Sequence, residues 1–268
     1  MRKTTDAHRG VSRIETDRSG CPRLSRLWPL LCGLILLFLG GGWGSRPAGA
    51  QENLPALIKK IQPAVVTVVG YNAKGKAIRL GSGFFVNGQG HLITCMHVVS
   101  KIVRADVKLP HGGLYPITTV LAADKKADLV KLAVTIPGGT PHYLQVSSNR
   151  PVVGEHVLTV GSPLGLEQSV SEGLLSAIRN IRGRGEFLQI SAPISPGSSG
   201  GPVVNLKGEV IGVATFQVRG QNINFAAPGN RVLALADGPP RPFGRRNGTK
   251  SLPPRPGVRV PPPQMRVP

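Results

Sequence analysis

Acidic side chains are scarce in this chain. Its 268 residues hold 13 Asp and Glu against 33 Lys and Arg, a formal charge of +20. No acid lies between Glu186 and Glu209, nor from there to Asp237. Over that stretch no carboxylate is on hand to receive a cation. Cysteine is scarcer still, with three in all. Cys21 and Cys32 fall in an amino-terminal segment, so only Cys95 remains beyond it. No intrachain disulfide is then possible, and the domain must be held by its core alone. A metal site built on Cys95 would need more ligands than the nearby His97 supplies. Cys95 is therefore expected to be a small buried side chain. Aromatic residues make up 4 % of the chain. No zinc finger, basic zipper or aromatic-rich RNA-binding strand is readable, which argues against specific nucleic-acid recognition. Long apolar runs are also missing, apart from Leu27–Leu39. That run is short for a bilayer span of about 20 residues.

The sequence is rich in glycine and proline, with 35 and 25. Such numbers point to many turns or to a disordered segment. Residues 1–50 place Arg23 and Arg26 before the apolar run and Ala48-Gly49-Ala50 after it. This is the pattern of a secretory signal peptide cut after Ala50, with an uncleaved membrane anchor as the minority reading. Export to the periplasm or the exterior follows. Residues 238–268 form a Pro/Arg-rich tail with no core-forming pattern, expected to be disordered or extended. Its basic charge suits weak contact with polyanions or anionic membranes.

Between these ends, residues 51–237 read as one short helix and then strands. Leu54, Leu57, Ile58 and Ile61 share a helical face, and Pro63 stops the helix. Six short strands rich in Val, Ile, Leu and Thr follow over about 64–140, and six more over about 152–235. Little room is left for crossover helices. The class is all-β, as two barrels or sandwiches of similar size. Gly70–Lys76 fits the start of a phosphate-binding loop, but Ala77 stands where Ser or Thr should hold magnesium. Strands flank it on both sides, so it is read as a hairpin.

The chemistry gathers around Ser195–Asn205, SPGSSGGPVVN. A serine nucleophile needs an exposed hydroxyl and N–H groups aimed at a developing oxyanion. The G-x-S-G-G frame makes Ser199 the nucleophile and Ser198 the variable residue. The N–H groups of Gly197 and Ser199 would form the oxyanion hole. The base must be a histidine, and His97 follows the strand HLITCM. Asp128 heads the apolar strand ADLVKLAV, where an acid is costly unless hydrogen-bonded. It is the candidate to orient His97. Asp106 is a weaker candidate, and Asp124 reads as turn chemistry.

The order His97, Asp128, Ser199 matches that of chymotrypsin-type proteases. The stretches GSGFFVNGQGHLITCMHVV, ADLVKLAV, VGSPLGLEQSVSEGLLSA and ISPGSSGGPVVNLKGEVIGVATF resemble HtrA/Deg-type trypsin-like serine proteases. The resemblance covers about residues 52–235. It implies two antiparallel six-stranded β-barrels (chymotrypsin-like), with His97 and Asp128 from the first and Ser199 from the second. It further implies a serine endopeptidase of unfolded or damaged polypeptides that works through an acyl-enzyme without a cofactor. Pro193, Ile194, Ala214, Thr215 and Phe216 are the expected walls of its primary pocket. Members usually carry a peptide-binding PDZ domain after the protease. Only the tail follows here, so regulation by such a domain and any oligomeric state are not carried over. The rival readings are a non-catalytic binding module of the same fold, or a polyanion- or envelope-binding protein acting through the tail.

Overall fold

The computed structural model describes residues 53–244, apart from 111, 138, 140, 163–167 and 219–222. The expected signal segment 1–50 and the tail beyond Gly244 lie outside the described residues. Among the described residues no helix is long and apolar enough to cross a membrane.

Helix α1, Leu54–Ile61, opens the fold. Asn53 caps it by accepting the Ala56 N–H, and Pro55 sits in the first turn where its missing N–H costs nothing. A 3-10 turn, Gln62–Ala64, carries the chain past Pro63 into β1, Val65–Tyr71.

The first barrel then uses β2 (Ala77–Phe85), β3 (His91–Cys95), β4 (Arg104–Lys108), β5 (Leu114–Asp124) and β6 (Leu129–Val134). Its strand order is β5-β4-β1-β2-β3-β6, and pairing of β5 with β6 closes it. The decoy phosphate loop is the hairpin between β1 and β2, with the Asn72 carboxamide oxygen accepting the N–H groups of Lys74 and Lys76.

The second barrel uses β7 (His156–Gly161), β8 (Ser169–Ile181), β9 (Gly185–Ile190), β10 (Pro202–Val204), β11 (Val210–Gln217) and β12 (Asn224–Pro228). They close in the order β10-β11-β12-β9-β8-β7. The twelve strands expected from hydrophobic pattern are the twelve barrel strands.

Strand alternation sets where each core lies. Val157, Val203 and Ile211 point into the second barrel's own core with Leu175, Leu188 and Ile190. Their neighbours Leu158, Val204 and Val210 face the other way, into a cluster continuous with Phe84, Phe85, Leu92 and Leu132 of the first barrel. Period-two patterning thus gives these strands two apolar faces, one for their barrel and one for its partner. The two barrels are welded along that shared layer.

The chain beyond the second barrel returns to the first. After a short helix α2 (Gly229–Leu233), Asp237 meets Lys131 at 2.7 Å. Arg241–Pro242 then form β13 against Val120 and Thr119 of β5. Sequence pattern cannot announce such a strand, because two residues with no apolar period gain their order entirely from the open edge of β5.

Candidate active site

Five segments converge on one cleft. Its lining includes His97, Asp128, Arg184, Ser199 and Phe216. His97 follows β3 directly, while Asp128 sits just before the adjacent β6. Asp128 holds φ = +60°, a conformation unusual for any residue but glycine. The turn that imposes it is fixed by Asp124, whose carboxylate accepts the N–H groups of Lys126 and Ala127. Burial works to raise the Asp124 carboxyl, but those hydrogen bonds and the Arg231 guanidinium at 2.8 Å hold it below its usual range. Asp124 is turn chemistry as read, and it shapes the turn that presents Asp128.

The Asp128 carboxylate holds His97 twice. One oxygen accepts the His97 backbone N–H at 3.0 Å, and the other lies 2.5 Å from Nδ1. The imidazole is thereby fixed in position, with Nε2 left for other chemistry. Asp106 instead pairs with Arg104 at 3.2 Å and is not part of the cleft lining.

The Ser198–Ser199 turn is built on two glycines with positive φ, Gly197 at 99° and Gly200 at 89°. Ser198 turns back on the loop: its N–H donates to the Ser195 carbonyl, and its hydroxyl receives the Ser195 N–H at 3.4 Å. Ser199 alone of the pair lines the cleft. Its hydroxyl donates to the Thr215 carbonyl at 3.3 Å rather than to His97. The N–H groups of Gly197 and Ser199 have no acceptor among the described residues.

One positioning residue escaped sequence reasoning. Ser82 of β2 is fully buried and ties the barrels together at this turn. Its N–H donates to the Ser199 carbonyl at 2.8 Å, and its hydroxyl donates to the Gly197 carbonyl at 2.7 Å. The same hydroxyl accepts the Ser162 N–H at 2.9 Å. The signal was there in G-S-G: a small polar residue between two glycines inside an apolar strand marks a close backbone approach. Cys95 adds a second cross-barrel tie, its thiol donating to the Ala214 carbonyl at 3.4 Å.

Of the five expected pocket residues, Ile194, Thr215 and Phe216 line the cleft. Pro193 and Ala214 do not. Pro193 is solvent-exposed with its carbonyl near Thr159, and Ala214 is 1 % exposed inside the second barrel. Their neighbours Ile194 and Thr215 take the lining instead, one in the loop between β9 and β10 and the other at the irregular stretch of β11 between Ala214 and Phe216. Sequence reasoning also missed the aromatic group behind the cleft. Phe216 stacks on Phe225 at 5.0 Å and meets Phe187 edge-on at 5.5 Å. No local motif links residues from three strands.

Cys95, His97 and Asp128 offer three ligand atoms within 4.8 Å of one another. The set does not suit a metal. The thiol is buried, and burial together with the Asp128 charge pushes its pKa well up, so the thiolate that a metal needs is disfavoured. The other two groups already bind each other. Alkylation followed by peptide mass mapping is expected to leave Cys95 unmodified in the native chain and modified in denaturant.

A serine hydroxyl and an imidazole oriented by a carboxylate in one cleft, with two N–H groups unpaired among the described residues on the serine's own turn, are the parts acyl transfer requires. Comparison with known proteins gives the same direction. The family model for the trypsin-like peptidase domain matches residues 81–213. The chain is 34 % identical over 224 residues to serine protease HTRA2, mitochondrial, of Bos taurus, covering 74 % of this chain and 48 % of that protein. It is 37 % identical over 169 residues to a probable periplasmic serine endoprotease DegP-like of Chlamydia pneumoniae, covering 59 % and 34 %. A crystal structure of the serine endoprotease from Yersinia pestis superposes with a TM-score of 0.60 at 28 % identity, covering 67 % of this chain and 64 % of that one. The chain spans about half the length of the curated relatives it matches, or less.

Proposed function

The chain belongs to the HtrA-type trypsin-like serine proteases, and on that premise we propose that it is an exported endopeptidase of unfolded polypeptides. The observation that carries this reading is the double hold of Asp128 on His97, in the cleft that Ser199 lines. Ser199 Oγ turns from the Thr215 carbonyl toward His97 Nε2 and attacks the scissile carbonyl as the imidazole takes its proton. Asp128 stabilises the imidazolium formed. The Gly197 and Ser199 N–H groups receive the oxyanion. Collapse of this intermediate breaks the C–N bond, and His97 returns the proton to the leaving amine. Water, activated by the same imidazole, then releases the acyl group from Ser199.

The pocket selects the substrate. Ile194, Thr215 and Phe216 present no carboxylate, and Asp128 is occupied by His97. A substrate Arg or Lys would lose hydration there without a counter-charge, at a cost of several kcal/mol, on the order of 3–5. An aliphatic side chain would gain roughly 1.5–3 kcal/mol from burial. Such side chains are mostly hidden in folded proteins, which favours unfolded chains as substrates. Export rests on the basic flank, apolar run and A-x-A of residues 1–50, and on one relative whose name places it in the periplasm. Two measurements test the proposal together: labelling by a fluorophosphonate probe, and mass spectrometry of fragments from a denatured protein. The expected result is a labelled Ser199 and cuts after Val, Ala and other small aliphatics. Absence of labelling, or cuts chiefly after Arg and Lys, would overturn it.

A further inference from the structure

Arg184 stands in the cleft wall without an acidic partner among the described residues. It belongs to the tight β8–β9 hairpin, where Gly183 and Gly185 take φ of 78° and 88° and the Arg184 N–H donates to the Ile181 carbonyl. Its Nε donates to the Lys126 carbonyl at 3.1 Å, in the turn that leads to Asp128. Its own carbonyl accepts from Arg231 at 3.1 Å. The guanidinium carbon lies 4.7 Å from the Phe187 ring centroid and 4.9 Å from that of Phe216. Backbone, Nε and both rings therefore hold the guanidinium in place, and cation–π attraction adds to the hold. Its two terminal nitrogens have no partner among the described residues, and the side chain shares the cleft with His97 and Ser199.

The surrounding charge is not neutralised. The two hairpins that meet here also carry Lys125, Lys126 and Arg182. Their acids are committed elsewhere: Asp124 to Arg231 at 2.8 Å, Asp128 to His97, and Glu186 to Arg150 at 2.9 Å. A fixed guanidinium with free N–H groups in an acid-poor cleft matches the fork of a carboxylate. The stacking leaves that fork little freedom to lose on binding.

We infer that Arg184 is a specificity-determining residue that receives an Asp or Glu side chain of the substrate, close to the scissile bond. The inference rests on the endopeptidase reading and deepens it. The primary pocket takes an aliphatic side chain, and a second subsite beside it reads negative charge. Acidic unfolded polypeptides are then the preferred substrate class.

Matched fluorogenic peptides test this, each with one cleavable aliphatic residue and a Glu or Gln at each flanking position in turn. At one position the Glu peptide is expected to exceed its Gln twin about fivefold in kcat/KM, as suits a partly exposed charge pair. The advantage should shrink at high salt, since an exposed pair is screened. Arg184→Gln should erase the ratio, and Arg184→Glu should turn it in favour of the Gln peptide. The Gln peptide is the internal reference in each variant, so the ratio is read whatever the absolute rate. Binding of the same peptides to the Ser199→Ala chain reads the subsite without hydrolysis. Loss of all cleavage with an intact binding preference would count against the endopeptidase reading and leave the subsite standing. Equal rates and equal binding for Glu and Gln at every position, or a Glu preference that survives Arg184→Gln, would overturn the inference.

Discussion

Ser199→Ala is expected to lower peptide hydrolysis by about four to six orders of magnitude, while Ser198→Ala keeps most of it. The two serines are adjacent in sequence and opposite in geometry. Ser199 lines the cleft with His97, and its hydroxyl is held only by the Thr215 carbonyl. Ser198 faces away and closes its own loop against Ser195. Losing the Ser198 hydroxyl removes one long hydrogen bond from a partly exposed turn, worth roughly 0.5–1.5 kcal/mol. Losing the Ser199 hydroxyl removes the proposed nucleophile and one hydrogen bond to the Thr215 carbonyl. Both variants should therefore melt close to the parent, and only Ser199→Ala should fail to label with a fluorophosphonate. A working Ser199→Ala chain beside a dead Ser198→Ala chain would reverse the assignment.

Gly200→Ala should damage fold and catalysis together. Gly200 holds φ = +89° and donates its N–H to the Ala214 carbonyl at 2.7 Å. A Cβ there would be driven into the Ser82 carbonyl oxygen and the Thr94 hydroxyl, both of the first barrel. Neither can move freely. The Thr94 hydroxyl donates to that same Ser82 carbonyl at 2.7 Å, and Ser82 carries the cross-barrel bonds to Gly197 and Ser199. The backbone strain and the forced separation together should cost roughly 2–5 kcal/mol. For a domain of this size the melting temperature should fall by about 10 °C. The oxyanion donors should shift with the turn, so kcat should fall in the folded fraction as well. Gly75→Ala separates strain from clash. Gly75 has φ = +74° but nothing within 4 Å of the added Cβ. It should lose about 1–2 kcal/mol and no activity. Equal stability losses in the two variants would show that the cross-barrel contact contributes nothing.

Much of this architecture is written locally. Alternating Val, Ile and Leu in short runs, broken by glycine turns, specify twelve strands because a strand's period of two needs only its own residues. The frame Gly197-Ser198-Ser199-Gly200-Gly201 marks a turn with exposed hydroxyl and free N–H groups, because positive φ at glycine is a local property. Asp128 at the head of an apolar strand is legible for a related reason, since a lone acid there implies a partner. Each of these signals needs a handful of neighbouring residues and no knowledge of distance.

What the sequence left open depends on which strands close against which. Which of Ile194 and Pro193 enters the cleft is decided by the path of the loop between β9 and β10, which no local pattern sets. Ser82 becomes the clamp of the Ser199 turn, more than a hundred residues away in the chain, only when the two barrels share an apolar layer. Arg184 reads as one more cation in a basic protein until Phe187, Phe216 and the Lys126 carbonyl are brought around it. The order at Arg241–Pro242 comes from the exposed edge of β5, not from its own side chains. The sequence by itself determined the elements and the chemical parts, because these follow from local conformation and burial. The tertiary structure alone decided which side chains share the cleft and which backbone groups stay unpaired, because these depend on contacts between distant segments.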